Sequence, residues 1–132
     1  MSKRRDAAPC PCGLPASYQD CCGRLHRGEA QAATAEQLMR SRFSAFAVQD
    51  AAYLLKSWHP ATRPPSIDFE PGLRWERLEV LDATEGTPFH TKGTVEFRAA
   101  YSAKGGQSGE MHEVSRFVRH DGAWVYLKGT VQ

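Results

Sequence analysis

All four cysteines of the chain fall within thirteen residues, as Cys10-Pro11-Cys12 and Cys21-Cys22-Gly23 with residues 13–20 looping between them. The segment around them offers only Leu14, Tyr18 and Leu25 as sizeable apolar groups. That is too little to offset the entropy of ordering about twenty residues, so another source of free energy is needed. Two disulfides joining the pairs would form a ladder tight enough to strain the S–S geometry, and a vicinal Cys21–Cys22 bond would be strained further. Four thiolates around one Zn²⁺ fit better, because zinc accepts a closed Cys₄ tetrahedron that holds structure and does no chemistry. In small modules such a metal contributes about 10–16 kcal/mol. The C-x-C and C-C pairs are tighter than the paired C-x₂-C of zinc ribbons. No C-x-x-C occurs, which speaks against redox catalysis. Gly13 can take a positive φ, Pro15 stiffens the loop, and Gly23 is expected to release the chain after the last ligand.

The formal net charge of the 132 residues is +2, too small to point to nucleic acid. It is unevenly spread. Residues 1–44 carry +3 and the remainder −1, so the basic bias sits around the cysteines. No apolar run follows the polar start, as a secretory peptide would require, and no stretch of about 18 apolar residues offers a membrane span. A cytoplasmic chain with reduced thiols is expected.

Residues 1–28 read as the zinc knuckle and 29–132 as a second domain, with residues 29–33 as linker. Thr34 and Gln37 form a capping-box signature. Met39, Phe43 and Phe46 then recur on one helical face. Asp50 reads as a second N-cap, and Pro60 stops that helix after His59. Residues 34–59 are thus two consecutive helices. Four prolines make 60–71 a loop. Strands are expected over 75–81, 89–101, 111–120 and 124–128. In the second, Phe89, Thr91, Gly93, Val95, Phe97, Ala99 and Tyr101 share a face. Asp121-Gly122 suits a type I′ hairpin. Helices followed by antiparallel strands define an α+β layout, with helices on one sheet face.

The string Cys10-x-Cys12-Gly13, continuing to Tyr18-x-x-Cys21-Cys22-Gly23, resembles the SEC-C motif of the SecA C-terminal tail, with all four metal positions matched. Where that motif usually has Gly-Ser-Gly-Lys-Lys, this chain has Gly13-Leu14-Pro15-Ala16-Ser17. Residues 38–46 (LMRSRFSAF), Trp58-His59-Pro60, residues 93–97 (GTVEF), His112-Glu113-x-Ser115-Arg116-Phe117 and Trp124-Val125-Tyr126-x-x-Gly129 are similar to the YchJ family, small bacterial proteins of unassigned role. That resemblance spans residues 10–129. It implies a nuclear-transport-factor-2-like cone, a curved antiparallel sheet wrapped around helices, often with a pocket in its mouth. By analogy with the SecA tail, which binds SecB and ribosomes, it also implies a protein partner docking on the knuckle.

Two classes of role stand open for the chain: an interaction module that docks a protein partner through the knuckle, favoured because the cysteines are the one constellation with a clear mechanism, or a small-molecule binder or enzyme using the mouth of the cone. No phosphate loop, dinucleotide fingerprint, nucleophile elbow or metalloprotease helix is present, and no catalytic residue is assigned. Arg42, His59, Glu113 and Arg116 are the candidate pocket residues. Glu113 and Arg116, three apart on a strand, face opposite ways. His112, Glu96, Arg98 and Arg116 would form a charged patch on one sheet face, most simply a solvated one. Arg40 or Arg42 is expected to turn inward and pair with a carboxylate such as Glu113.

Overall fold

A computed structural model describes residues 3–132. Met1 and Ser2, the start of the segment assigned to the knuckle, lie outside the described residues. In chain order the elements are α1 (Lys3–Ala7), a 3₁₀ turn (Tyr18–Asp20), α2 (Cys22–His26), α3 (Ala35–Val48), α4 (Ala51–Lys56), β1 (Arg74–Glu85), β2 (Lys92–Ser102), β3 (Ser108–His120) and β4 (Ala123–Val131). The strands form one antiparallel sheet in the order β1-β2-β3-β4. The α+β layout expected from the sequence is the one observed, with α3 laid across the inner face of a curved sheet. Among the described residues no helix is long and apolar enough to cross a membrane.

Both helix starts behave as their sequences dictate. The Thr34 hydroxyl accepts from the Gln37 N–H at 3.0 Å, and the Asp50 carboxylate accepts from the Tyr53 N–H at 3.0 Å. The second arm of the capping box differs, because Gln37 Oε1 accepts from the N–H of Ala33 instead of Thr34. Helix α4 stops at Lys56, three residues before the expected end. The Ser57 hydroxyl folds back onto the Tyr53 carbonyl at 2.7 Å. The chain then pairs with the sheet: Tyr126 N–H donates to Ser57 O, and His59 N–H to Tyr126 O, both at 2.8 Å. Two hydrogen bonds to β4 outcompete one more helical turn.

The core lies between α3 and the sheet. Ala35, Leu38, Met39 and Phe43 meet Leu78, Val95, Phe97, Ala99, Phe117 and Trp124. The alternation expected in β2 holds for Gly93, Val95, Phe97 and Ala99, which all turn inward. Phe89 does not join them; it precedes the strand and is 95% exposed. Strand β1 runs longer than expected and carries register shifts between Trp75 and Arg77 and between Val80 and Asp82. The first of these lets Trp75 and Leu78, three apart, face the same side, and such bulges also curve the strand. Asp121 and Gly122 take φ of 52° and 84°, both positive as a type I′ turn requires. Gly93 has no room for a side chain, since a Cβ there would lie 2.5 Å from the Gly86 Cα. That close approach carries the Gly86 carbonyl to the Ala35 N–H at 2.9 Å, tying the β1–β2 turn to the start of α3.

Candidate functional site

The ligand atoms of Cys10, Cys12, Cys21 and Cys22 all lie within 4.8 Å of one another. The Sγ atoms of Cys12 and Cys21 are 3.6 Å apart, and none of the four is in a disulfide. A Zn–S bond of about 2.3 Å sets an ideal tetrahedral edge near ~3.8 Å. The Cys12 and Cys21 sulfurs therefore stand at nearly the separation a metal would impose, with the other two close by. The donor set, four soft thiolates mostly shielded from water, fits a tetrahedral metal site. Without a metal the sulfurs compete for protons. Hydrogen bonds from Cys12 and then Cys22 push the Cys10 thiol down. Hydrogen bonding with Cys10 pushes Cys22 up, and burial first, with the charge of Cys12 next, pushes Cys21 up to about 12. A divalent ion would replace those protons and reverse the preference.

Local structure explains how the sulfurs gather. Gly13, at φ 91°, turns the chain directly after Cys12, and Cys10 N–H donates to Ala16 O at 2.9 Å across the loop. The second pair starts α2. Gly23 is not the expected release point but the second residue of that helix. A Cβ there would lie 2.6 Å from the Tyr18 carbonyl oxygen, so glycine lets the helix sit under the 3₁₀ turn.

The clasp is bound to one side of α3. Cys10 Sγ meets Ser44 Oγ at 3.5 Å, and Arg40 Nη1 donates to the Cys12 carbonyl at 2.8 Å. His26 bridges the two units: its Nε2 lies 2.8 Å from the Ser41 carbonyl and its Nδ1 2.5 Å from the Tyr18 hydroxyl. A carbonyl only accepts, so Nε2 carries the proton and Nδ1 accepts from Tyr18. Burial pulls the His26 pKa below its ordinary 6.5. Ser44 and His26 had not been singled out from the sequence. A serine inside Phe43-Ser44-Ala45-Phe46 was the available signal for Ser44.

The opposite side of α3 faces a partly open cavity of about 280 Å³ between the helix and the sheet. Met39, Phe43 and Phe46 supply its helical wall, while Trp75, Phe97, Ala99 and Met111 come from the sheet. Arg42 lies at its inner end with 4% of its surface exposed. It turns inward but does not pair with Glu113. Nη1 donates to Leu54 O at 2.8 Å and to Ser57 Oγ at 2.6 Å. The guanidinium carbon stands 4.9 Å from the Trp58 ring centroid and 4.5 Å from that of Tyr126. Glu113 lines the same cavity, its carboxylate accepting from Ser115 Oγ at 2.8 Å. Burial lowers the Arg42 pKa to about 10, which leaves it charged at neutral pH.

Of the four candidate pocket residues, Arg42 and Glu113 meet in the cavity, and His59 and Arg116 lie outside its lining. His59 sits beyond the end of α4, with its ring 5.0 Å from that of His120. Arg116 is exposed on the outer sheet face, the face on which His112 pairs with Glu96 at 2.7 Å. The cavity residues that sequence reasoning missed include the ring pair Trp58 and Tyr126; Ser57, which anchors Arg42 from outside the lining, was missed as well.

A cysteine clasp braced against the first long helix of a small α+β cone defines the class: a SEC-C motif joined to an NTF2-like domain. The family model described as the YchJ middle NTF2-like domain matches residues 34–129. The chain belongs to the YchJ family. It is 58% identical over 121 residues to a UPF0225 protein of Streptomyces coelicolor, covering 92% of this chain and 94% of that one. A UPF0225 protein of Corynebacterium glutamicum is 50% identical, with 92% and 96% covered. Among solved structures, a SEC-C motif containing protein from Rhodopseudomonas palustris superposes with a TM-score of 0.82 at 33% identity, covering 93% of this chain and 98% of that one. A second, from Psychrobacter arcticus, gives 0.78 at 30% identity, covering 97% and 85%.

Proposed function

We propose that the chain is a small-ligand-binding protein. The cone cavity holds the ligand, and one structural Zn²⁺ on Cys10, Cys12, Cys21 and Cys22 braces α3 from its other side. Arg42 is the observation that carries the ligand reading. A charge this deeply buried, with no carboxylate in ion-pair range among the described residues, is costly to keep in a wall that is mostly aromatic and aliphatic. At about 280 Å³ the space falls just below the range of drug-sized ligand sites, about 300 to 1,000 Å³, so it suits a smaller ligand.

Methyl NMR tests this directly, because Met39, Ala99 and Met111 line the cavity. In a screen of small aromatic fragments their signals shift, and Ala99→Trp, which fills the space, abolishes the shifts. A screen that moves no cavity methyl sinks the ligand reading. Elemental assay of the purified protein returns one zinc per chain; absence of stoichiometric metal removes the clasp's role.

Docking of a protein partner on the knuckle is the second reading. Leu14, 41% exposed, and Arg24 line a groove on the outside of the clasp. The SecA-tail resemblance makes SecB or the ribosome the partner to try. Leu14→Asp with Arg24→Glu leaves the four sulfurs in place and should lower co-sedimentation with either; equal recovery argues against docking there.

A further inference from the structure

We infer that the cavity's ligand is a small apolar monocarboxylate, its carboxylate seated on the free edge of the Arg42 guanidinium and its body against Phe43, Phe46, Phe97 and Met111. This deepens the ligand-binding reading and rests on it.

Arg42 uses only one of its nitrogens within the protein. Both hydrogen bonds run from Nη1, to Leu54 O and Ser57 Oγ, so Nε and Nη2 have no protein acceptor among the described residues. Neither nitrogen is among the fully enclosed polar atoms lacking a partner, so both keep some exposed surface, and Arg42 lines the cavity. Nε and Nη2 together form the planar fork that takes both oxygens of a carboxylate. Nη1 is anchored, and Trp58 and Tyr126 pack against the group, so the fork is held in place before anything binds.

The surroundings narrow the anion. Among the described residues Arg42 is the one cationic side chain in the lining, and Glu113 supplies an opposing negative charge from the same wall. A doubly charged phosphate would meet one cation and one repelling carboxylate, whereas a single carboxylate balances Arg42 alone. Apart from Ser115 and the Tyr126 hydroxyl, the remaining wall is aromatic, aliphatic or thioether, which asks for an apolar body. Size sets the limit: apolar cavities of about 150 Å³ already accept benzene, so about 280 Å³ takes one ring or a short branched chain with its acid group.

The test uses the full zinc-loaded chain with phenylacetate and isovalerate, their amides, and phenethylamine, followed by calorimetry and by the emission of Trp58 and Trp75. The acids bind at least tenfold tighter than the matching amides, and phenethylamine binds weakest. Arg42→Gln erases the preference for acid over amide. Arg42 also holds Leu54 and Ser57, so that variant can fail for structural reasons. Glu113→Gln provides the second measurement: with Arg42 intact, it tightens the acids several-fold and leaves the amides unchanged. Acids and amides binding equally, or acid affinity unmoved by Glu113→Gln, overturns the carboxylate inference while the ligand-binding reading survives. If none of the five compounds binds and no fragment moves the cavity methyls, both fall.

Discussion

The clasp and the cone share helix α3 but are held together by different means. The cone buries Phe117, Val95 and Leu54 almost completely and draws on apolar area. The clasp buries Cys10, Cys12, Tyr18, Cys22 and Leu25, and three of these five side chains are thiols that repel one another when ionised. One region folds because its side chains leave water; the other gathers four sulfurs at the spacing of a metal site. Helix α3 serves both by splitting its surface. Arg40, Ser41 and Ser44 hold the clasp, while Met39, Arg42, Phe43 and Phe46 line the cavity.

The largest effect expected follows from that contrast. If the clasp holds the proposed metal, stripping it removes a contribution of about 10–16 kcal/mol. A strong chelator should collapse the amide dispersion of residues 9–26 while the β2 and β3 amides keep theirs. Clasp amides that stay in place after the metal has gone would show that side-chain packing alone orders the segment. The reciprocal experiment targets the cone. Phe117→Ala empties the middle of its core and costs about 3–5 kcal/mol, read by urea unfolding of the zinc-loaded chain. A cost below about 1 kcal/mol would mean that the cone relaxes around the cavity far more than its close packing implies.

Between these two lies the joint. His26→Phe keeps a ring beside Tyr53, whose centroid is 4.5 Å away, but loses the bonds to Tyr18 and Ser41. Loss of two buried hydrogen bonds costs about 2 kcal/mol. If the clasp and cone are joined through His26, the metal also leaves faster in this variant, which a chromogenic chelator follows. An unchanged release rate would place the joint in Ser44 and Arg40 instead.

How much of this could be read from the chain depends on the range of the forces involved. The cysteine cluster, the capping residues Thr34 and Asp50, the α3 stripe, the β2 alternation and the Asp121-Gly122 turn are local signals, and the structure follows them. Helices α1 and α2 were not legible. At five residues each they are too short to be stable alone and exist only against their neighbours. The Trp75 and Leu78 pair breaks a two-residue period, and a bulge whose need arises from sheet curvature restores it. The end of α4 is set by β4, some seventy residues downstream, which no local pattern announces. For the cavity, the inward turn of one of Arg40 and Arg42 was legible from their places on opposite faces of the helix; that it is Arg42 was not. Its partners were not, because Leu54 O is a backbone atom and Ser57, Trp58 and Tyr126 come together only when the chain leaves α4 to meet the sheet.

The smallest effect is also the one that best separates clasp from cone. Thr34 lies where the linker meets α3. Its hydroxyl caps the Gln37 N–H, and the Gln37 side chain in turn holds the Ala33 N–H at 2.7 Å. Thr34→Ala removes the first bond and costs about 1 kcal/mol. The cap acts at the end of α3 that also receives Gly86, whereas the cysteines meet the helix through Arg40 and Ser44. The loss should therefore appear as a lower urea midpoint for the β2 and β3 amides, with metal affinity unchanged. Asp50→Ala, the equivalent change at the start of α4, serves as the control: a similar cost, and again no change at the metal. If Thr34→Ala weakens metal binding tenfold or more while Asp50→Ala does not, the N-terminal turn of α3 belongs to the clasp, and the division of the helix into two independent faces fails at its first turn.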